Sequence, residues 1–256
     1  MLPGERTGDR RFVLDGKTSR YLLRVLRMGR GDVVSALDEA GNRFLCTIED
    51  ASPVAAVLTL IPEAEDAVRM SNLPRLALVQ GLPKGPKMDL IIRQAVEAGA
   101  SAVFPIQTSN CVIREKAQGD REDKLERRRK IVREALQQSG SAIQTKILPT
   151  ATIDTLEKAL EAEGFPRTAS LRLMFHELPL AEKSLHEYCA GELLPTLILI
   201  GPEGGFTSGE TDVFKAMGFK FVHFEGTILR TETAALFAMA AVKTILMERA
   251  AWTLSK

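Results

Sequence analysis

Cysteine is scarce: the 256 residues include only Cys46, Cys111 and Cys189, scattered without the paired spacing of a metal site. That excludes a disulfide scaffold and a structural zinc cluster, and it fits a reducing compartment. Net charge is nearly absent as well, at +1. A protein holding nucleic acid by bulk electrostatics is thereby excluded, and any RNA contact must come from a local patch. The N-terminal MLPGERTGDRRF lacks the apolar core of a signal peptide. The longest apolar helix candidate, 234–247, is interrupted by Lys243 and Thr244 and is too short to span a bilayer. Repeats and low-complexity tracts are missing too. The expectation is a soluble, cytoplasmic protein with no membrane segment and no metal.

What is present is a globular composition, 45% hydrophobic and 26% charged, with room for one large domain or two modest ones. Two stretches follow different rules. Residues 12–61 read mostly as short strands: 33–37, a turn at 38–42, an alternating run at 43–48 and another run at 54–60. Strands at this spacing suggest a small β-barrel. The polar, acidic PEAEDAVRMSNL at 62–73 reads as a linker, which places a domain boundary after residue 72.

From there to residue 256 strand and helix alternate. Strand candidates are 75–80, 102–106, 171–175, 196–200 and 219–224. Helix candidates are 87–98, with Gly99 just past its end, a charged stretch at 120–138 and the final 231–249. This rhythm predicts a parallel sheet covered on both faces.

Ligands in such sheets bind beyond the carboxyl ends of the strands, and two segments there stand out. The buried strand ending at Ile200 runs into Gly201-Pro202-Glu203-Gly204-Gly205-Phe206, and Thr207 with Glu210 forms a capping-box pattern that would start a helix. The glycines permit close backbone approach. Neither the ending of a phosphate-binding loop nor a dinucleotide fingerprint is present, and an ordinary tight turn would explain the glycines alone. Glu203 is less easily explained, since a turn has no need of a carboxylate there. The second segment is Phe224 to Ala235. Thr231 can cap the last helix and Glu232 suits its positive end, whereas Arg230 is placed where the helix dipole would repel it. A solvated loop arginine remains the plain alternative to a substrate contact.

At these residues the chain resembles the RsmE family of SPOUT RNA methyltransferases, in Leu199 to Phe206 and Ile228 to Ala234. Further similarity covers Val25-Leu26-Arg27 with Gly31-Asp32, Lys87-Met88-Asp89-Leu90, Glu134-Ala135 with Gln137-Gln138-Ser139, and Phe175-His176-Glu177. The resemblance implies a PUA-like β-barrel over 1–72 that binds RNA. It also implies a SPOUT α/β domain over 73–256 whose C-terminal end is tied in a trefoil knot, a feature that no periodicity could reveal. It implies a homodimer that methylates N3 of a uridine in 16S ribosomal RNA of the small subunit, with S-adenosylmethionine as cofactor. Carried over, the cofactor-binding residues are Leu199, Ile200, Gly201, Glu203, Gly204, Gly205, Phe224, Thr227, Ile228, Leu229 and Arg230, with Ala234 at the floor and the loop after Phe175 helping to enclose the cofactor. Two positions depart from the family pattern. Phe224-Glu225-Gly226-Thr227 replaces a Leu-Gly-x-Arg segment, and Ser141 stands near where an arginine is usual.

The imide N3 of uridine carries a proton at neutral pH, so methyl transfer needs a base or a charge that stabilises the ring anion. Arg230 is the candidate for the charge, and Glu203 and Glu232 are the nearest carboxylates in sequence. For RNA, the basic stretch 6–30 offers Arg11, Arg20, Arg24 and Arg27, of which the last three fall at helical spacing. The run Arg127 to Lys130, beside Glu122, Asp123 and Glu126, reads better as a solvated helix face. His176 and Tyr188 read as packing residues. Three alternatives remain: a ribose 2′-hydroxyl or another base as target, an RNA-binding assembly factor without catalysis, and a nucleotide-binding dehydrogenase.

Overall fold

The computed structural model describes residues 4–6, 10–37, 43–62, 73–115, 118–141, 143–226 and 228–253. The expected turn at 38–42, nearly all of the linker and Thr227 lie outside the described residues. The chain divides into two compact units, Met1–Ser71 with Gly140–Gln144, and Asn72–Ser139 with Thr145–Lys256. No described helix is long and apolar enough to cross a membrane.

The first unit is an antiparallel sheet of β1 (Gly4–Arg6), β2 (Arg11–Leu14), β3 (Val33–Leu37), β4 (Arg43–Ala51) and β5 (Ala56–Pro62), in the order β1-β2-β5-β4-β3. Its core is built from alternate residues of these strands, Leu14, Cys46, Ile48, Ala56, Leu58 and Leu60, joined by Leu22. Leu22 comes from α1 (Gly16–Arg24), an element that the sequence signalled only through its arginine spacing. Asp15 starts it by accepting the Thr18 N–H at 2.7 Å, and the buried Ser19 hydroxyl donates to the Ser52 carbonyl.

The second unit is a parallel sheet of seven strands: β6 (Leu76–Gly81), β7 (Ala102–Gln107), β8 (Lys146–Ile147), β9 (Ala151–Thr152), β10 (Leu171–Phe175), β11 (Thr196–Ile200) and β12 (Lys220–Val222). The order is β12-β10-β11-β6-β7-β8, with β9 also paired to β7. Every residue of β6, β10 and β11 is buried, as two covered faces require. The side chains alternate between two cores. Leu78, Val103, Leu173 and Ile198 face α2 (Lys87–Glu97), α3 (Gln118–Ser139) and α7 (Thr231–Thr253). Val79, Phe104, Met174 and Leu199 face α4 (Ile153–Ala162) and α6 (Ser208–Ala216). A short α5 (Leu185–Cys189) completes the unit. Fully burying one such aliphatic side chain stabilises by about 1.5–3 kcal/mol.

Because β11 lies between β10 and β6, segments far apart in sequence end together. Phe175 is level with Ile200 and with Val222, and Ile200 is level with Gln80. The loops after β6, β10, β11 and β12 therefore leave the same end of four neighbouring parallel strands.

Candidate functional site

The glycine loop is held by backbone contact. In the turn after Ile200 the Gly205 N–H donates to the Pro202 carbonyl at 2.9 Å, with Gly205 at φ +63°, a conformation that favours glycine. Gly81, at the end of β6, lies so close that an added Cβ would sit 2.5 Å from Pro202 Cδ. Asn110 Nδ2 donates to the Gly204 carbonyl at 2.8 Å. The capping box that starts α6 is present. The Glu210 N–H donates to Thr207 Oγ1 at 3.2 Å, and Glu210 Oε2 accepts the Thr207 N–H at 2.9 Å. The same buried carboxylate accepts the Ser109 N–H at 2.7 Å, so one side chain braces two loops.

β12 is shorter than the predicted strand and stops at Val222, which frees the following residues to cross the strand ends. The Phe224 ring meets Phe175 at 4.9 Å and Phe237 at 4.8 Å between centroids. Thr231 differs from expectation. It lies inside the first turn of α7, and the Ala234 N–H goes to the Arg230 carbonyl at 2.8 Å, so Arg230 occupies the capping position. The Thr231 hydroxyl instead donates to the Gly201 carbonyl at 2.6 Å and accepts from Gln80 Nε2 at 3.0 Å. Residues 80, 201 and 231 are thereby tied at one buried point. Thr231→Val leaves the Gly201 carbonyl and the Gln80 amide short of a partner, at a cost of about 1–3 kcal/mol. Urea unfolding should show that loss in Thr231→Val and little of it in Thr231→Ser. Equal stability of the two variants would remove this role.

The loops enclose a cavity of about 400 Å³. Of the residues expected at a cofactor site, its wall holds Ile200, Gly201, Glu203, Gly205, Phe224, Ile228, Leu229, Arg230 and Ala234. Leu199 is not on the wall, since its side chain is fully buried on the α4 and α6 face. Gly204 turns toward Asn110, and the wall does not include Glu232. His176 and Glu177, which begin the loop after Phe175, also line the cavity, as do Lys87 and His223, which were not among the expected site residues. Lys87 could have been suspected, since a cation at the first residue of a helix opposes the dipole. His176, set aside as packing, shows that a histidine at a strand end acquires its surroundings from neighbouring strands.

At the rim one ammonium is shared by two carboxylates. Lys87 Nζ lies 2.9 Å from Glu203 Oε1 and 3.2 Å from Glu232 Oε2, the latter an ion pair without hydrogen-bond alignment, since that oxygen has no hydrogen-bond partner among the described residues. The Lys84 N–H adds a donor 3.2 Å from both Glu203 oxygens. Burial pushes the Glu203 carboxyl up, but the Lys87 ammonium and the backbone donors outweigh it and hold Glu203 below the ordinary carboxylate range. Among the described residues no carboxylate pairs with Arg230, which is exposed at the cavity mouth.

In the first unit Arg11, Arg20, Arg24 and Arg27 are all exposed. Arg11 is engaged with Glu49 at 2.6 Å, Arg20 Nε donates to the Gly16 carbonyl at 2.9 Å, and Arg27 has a left-handed backbone with φ 55°. In the run at 127–130, Arg127 pairs with Asp89 and Arg129 with Glu126, whereas Arg128 is buried against Glu115 at 2.7 Å.

Two family models match the chain, the RNA methyltransferase PUA domain over residues 14–61 and the RNA methyltransferase domain over residues 70–243. The domains are those of an RNA methyltransferase. A ribosomal RNA small subunit methyltransferase E of Synechocystis is 32% identical across 88% of this chain and 70% of its own length. Its counterpart in Bacillus subtilis is 28% identical across 90% and 89%. The crystal structure of a ribosomal RNA small subunit methyltransferase E from Neisseria gonorrhoeae, bound to S-adenosyl methionine, covers 95% of both chains at 25% identity with a TM-score of 0.75. The chain belongs to the ribosomal RNA small subunit methyltransferase E family.

Proposed function

We propose that the protein transfers the methyl group of S-adenosylmethionine to N3 of a uridine in 16S ribosomal RNA of the small subunit. The observation that carries this reading is the meeting of the Gly201–Gly205 loop with Phe224 and with Ile228 to Arg230 over one cavity, with Arg230, which pairs with no described carboxylate, at its mouth. The wall suits such a cofactor. Phe175, Ile200, Phe224 and Leu229 offer apolar surface, Gly201 and Gly205 let backbone approach, and the cavity is of small-molecule size. Ile200, Gly201, Glu203, Gly205, Phe224, Ile228, Leu229, Arg230 and Ala234 are assigned to it, with Thr227 on the same segment. Leu199 and Gly204 contribute through the backbone.

When bound, the cofactor supplies an electrophilic methyl on sulfonium. The chain has to hold the uracil ring in line and stabilise the negative charge that spreads to the ring oxygens as the N3 proton leaves. Among the described residues the Arg230 guanidinium has no carboxylate partner and is available for that task. Despite its burial Glu203 is held below the ordinary carboxylate range by Lys87 and the backbone donors, so its part is to fix Lys87 and the loop rather than to take the proton, and Glu232 shares the same ammonium at 3.2 Å.

The first unit is assigned to RNA, with Arg11, Arg20, Arg24 and Arg27 contacting phosphates, and residues 73–256 to catalysis. A homodimer is supported by apolar side chains left exposed on α7, namely Leu236, Phe237 and Met247, and by Ile228 at 80% exposure. The trefoil knot of the second domain belongs to the same reading, supported by the insertion of β11 between β10 and β6. A cytoplasmic protein belongs to the same reading, supported by the ribosomal substrate it proposes.

The test is methyl transfer from labelled S-adenosylmethionine to small ribosomal subunits lacking the modification, followed by nucleoside analysis. 3-Methyluridine at a single site is expected. Label in another nucleoside would overturn the target, and cofactor binding without any label would leave a binding protein.

A further inference from the structure

Between Asp15 and Asp32 the chain carries five cations and no carboxylate, so a near-neutral protein has a local positive excess. The period of α1 sorts these residues. Leu22 joins the core of the first unit and Ser19 bonds to Ser52. Lys17, Arg20, Tyr21 and Arg24, at i, i+3, i+4 and i+7, are left together on the other side, all exposed. Val25, whose N–H donates to the Tyr21 carbonyl at 2.9 Å, follows one turn further along. Tyr21 is 49% exposed, Val25 61% and Leu26 45%, an apolar group set among cations. Among the described residues no carboxylate pairs with Arg20, Arg24 or Arg27, and no other ring or cation meets the Tyr21 ring. The two flanking carboxylates are occupied by backbone, Asp15 by the Thr18 N–H and Asp32 by the Gly29 N–H at 2.8 Å. The turn after the helix is fixed too. Arg27 takes the left-handed conformation, φ 55°, in which glycine usually ends a helix. The Met28 N–H donates to the Leu22 carbonyl at 3.0 Å, and the Gly31 N–H to the Ile48 carbonyl of β4 at 2.8 Å. A rigid support of this kind leaves less freedom to lose on binding.

We propose that this face of α1 takes an unpaired nucleotide of the RNA, its base stacked on the Tyr21 ring and the neighbouring phosphates held by Arg20 and Arg24. The inference rests on the assignment of the first unit to RNA made above. Stacking needs a base whose face is bare. In an A-form duplex the bases stack on one another and the outside shows ribose and phosphate, so a duplex meets the arginines but not the ring. A single strand meets both, and that combination grips it without reading its sequence. Arg20 uses Nε on the Gly16 carbonyl at 2.9 Å and keeps its remaining N–H donors for a phosphate. α1 lies within the residues that match the RNA methyltransferase PUA domain, which favours RNA over an acidic protein as the occupant.

Fluorescence anisotropy of the full chain tests the stack, with a labelled strand of cytidine and adenosine about sixteen nucleotides long. Such a strand offers the methyl-transfer site no uridine, and annealing it to its complement gives the duplex control. Tyr21→Ala should weaken single-strand binding by about five- to hundredfold, the usual loss of one stacked base, and duplex binding by less than about twofold. Tyr21→Phe should bind as wild type does. Arg24→Gln should weaken both complexes and flatten the salt dependence of the single-strand complex by about 0.7 in logarithmic slope. Single-strand affinity unchanged in Tyr21→Ala would overturn the proposal. The chain has only two tyrosines, Tyr21 and Tyr188, so tyrosine-labelled wild type gives a second readout that needs no variant to fold. Saturating single strand should move the Tyr21 ring signals upfield and leave those of Tyr188 in place. Static Tyr21 signals count equally against the stack. Tyr21 signals that move with protein concentration in the absence of RNA would put a second copy on this face and exclude the nucleotide. Binding of neither RNA to wild type would remove the assignment of the first unit to RNA itself, a result distinct from binding without a part for Tyr21.

Discussion

Arg230→Ala should fold as wild type does and lose methyl transfer by about 10²–10³-fold in kcat, the usual cost of removing one donor from a site of developing negative charge. The fold should survive because the helix start uses the Arg230 carbonyl, which accepts the Ala234 N–H at 2.8 Å and is unaffected by the side chain. The guanidinium itself is exposed, and exposed substitutions of this kind stay within about 0.5 kcal/mol. The rate should suffer because, among the described residues, the other cavity cation near the glycine loop is already committed. Lys87 holds Glu203 and Glu232, so it cannot neutralise a uracil anion without releasing them. Arg230→Lys should recover only part of the rate, since a point charge replaces a planar fork that can face two oxygens. Single-turnover methyl transfer at saturating cofactor reads the effect, and cofactor affinity should move far less. Wild-type turnover in Arg230→Ala would remove the residue from the mechanism.

The limits of legibility follow from the same geometry. β3, β10 and β11 have the predicted bounds because each is a mostly apolar run closed at both ends by polar or turn residues, the buried Arg172 of β10 being paired with Glu157. Gly99 ends α2 region as expected, at φ 77°. α4 was missed because its start, Thr152 with Thr155, lacks the glutamate or glutamine that marks a capping box in sequence. The two-residue strands β8 and β9 are too short to show any period. At the site, the glycine loop and Arg230 were readable as local anomalies. Gln80, Thr231 and Gly201 were not readable as a unit, since their meeting depends on β11 being inserted beside β6, and strand order leaves no trace in hydrophobic periodicity. Thr231 looked like a cap for the same reason: its alternative partners lie 30 and 151 residues away.

The charged run at 127–130 shows how one residue in a solvated pattern can be the exception, and it carries the largest expected change in stability. Arg128 is buried, and its guanidinium meets Glu115 Oε1 at 2.7 Å and Thr150 Oγ1 at 2.9 Å. Glu115 is 1% exposed and its other carboxylate oxygen has no hydrogen-bond partner among the described residues. Arg128→Met therefore strands a buried carboxylate, and breaking such a pair costs about 3–5 kcal/mol. Glu115→Met in the same chain removes the stranded charge, so the double variant should regain most of the loss, because a buried ion pair is often no better than apolar side chains of similar volume. Arg129→Ala on the next position, exposed and 3.4 Å from Glu126, should change stability by less than about 0.5 kcal/mol. Guanidinium unfolding of the four proteins separates the cases. If the double variant is as unstable as Arg128→Met alone, the loss comes from the packing of the arginine stem, and the buried charge is not its cause.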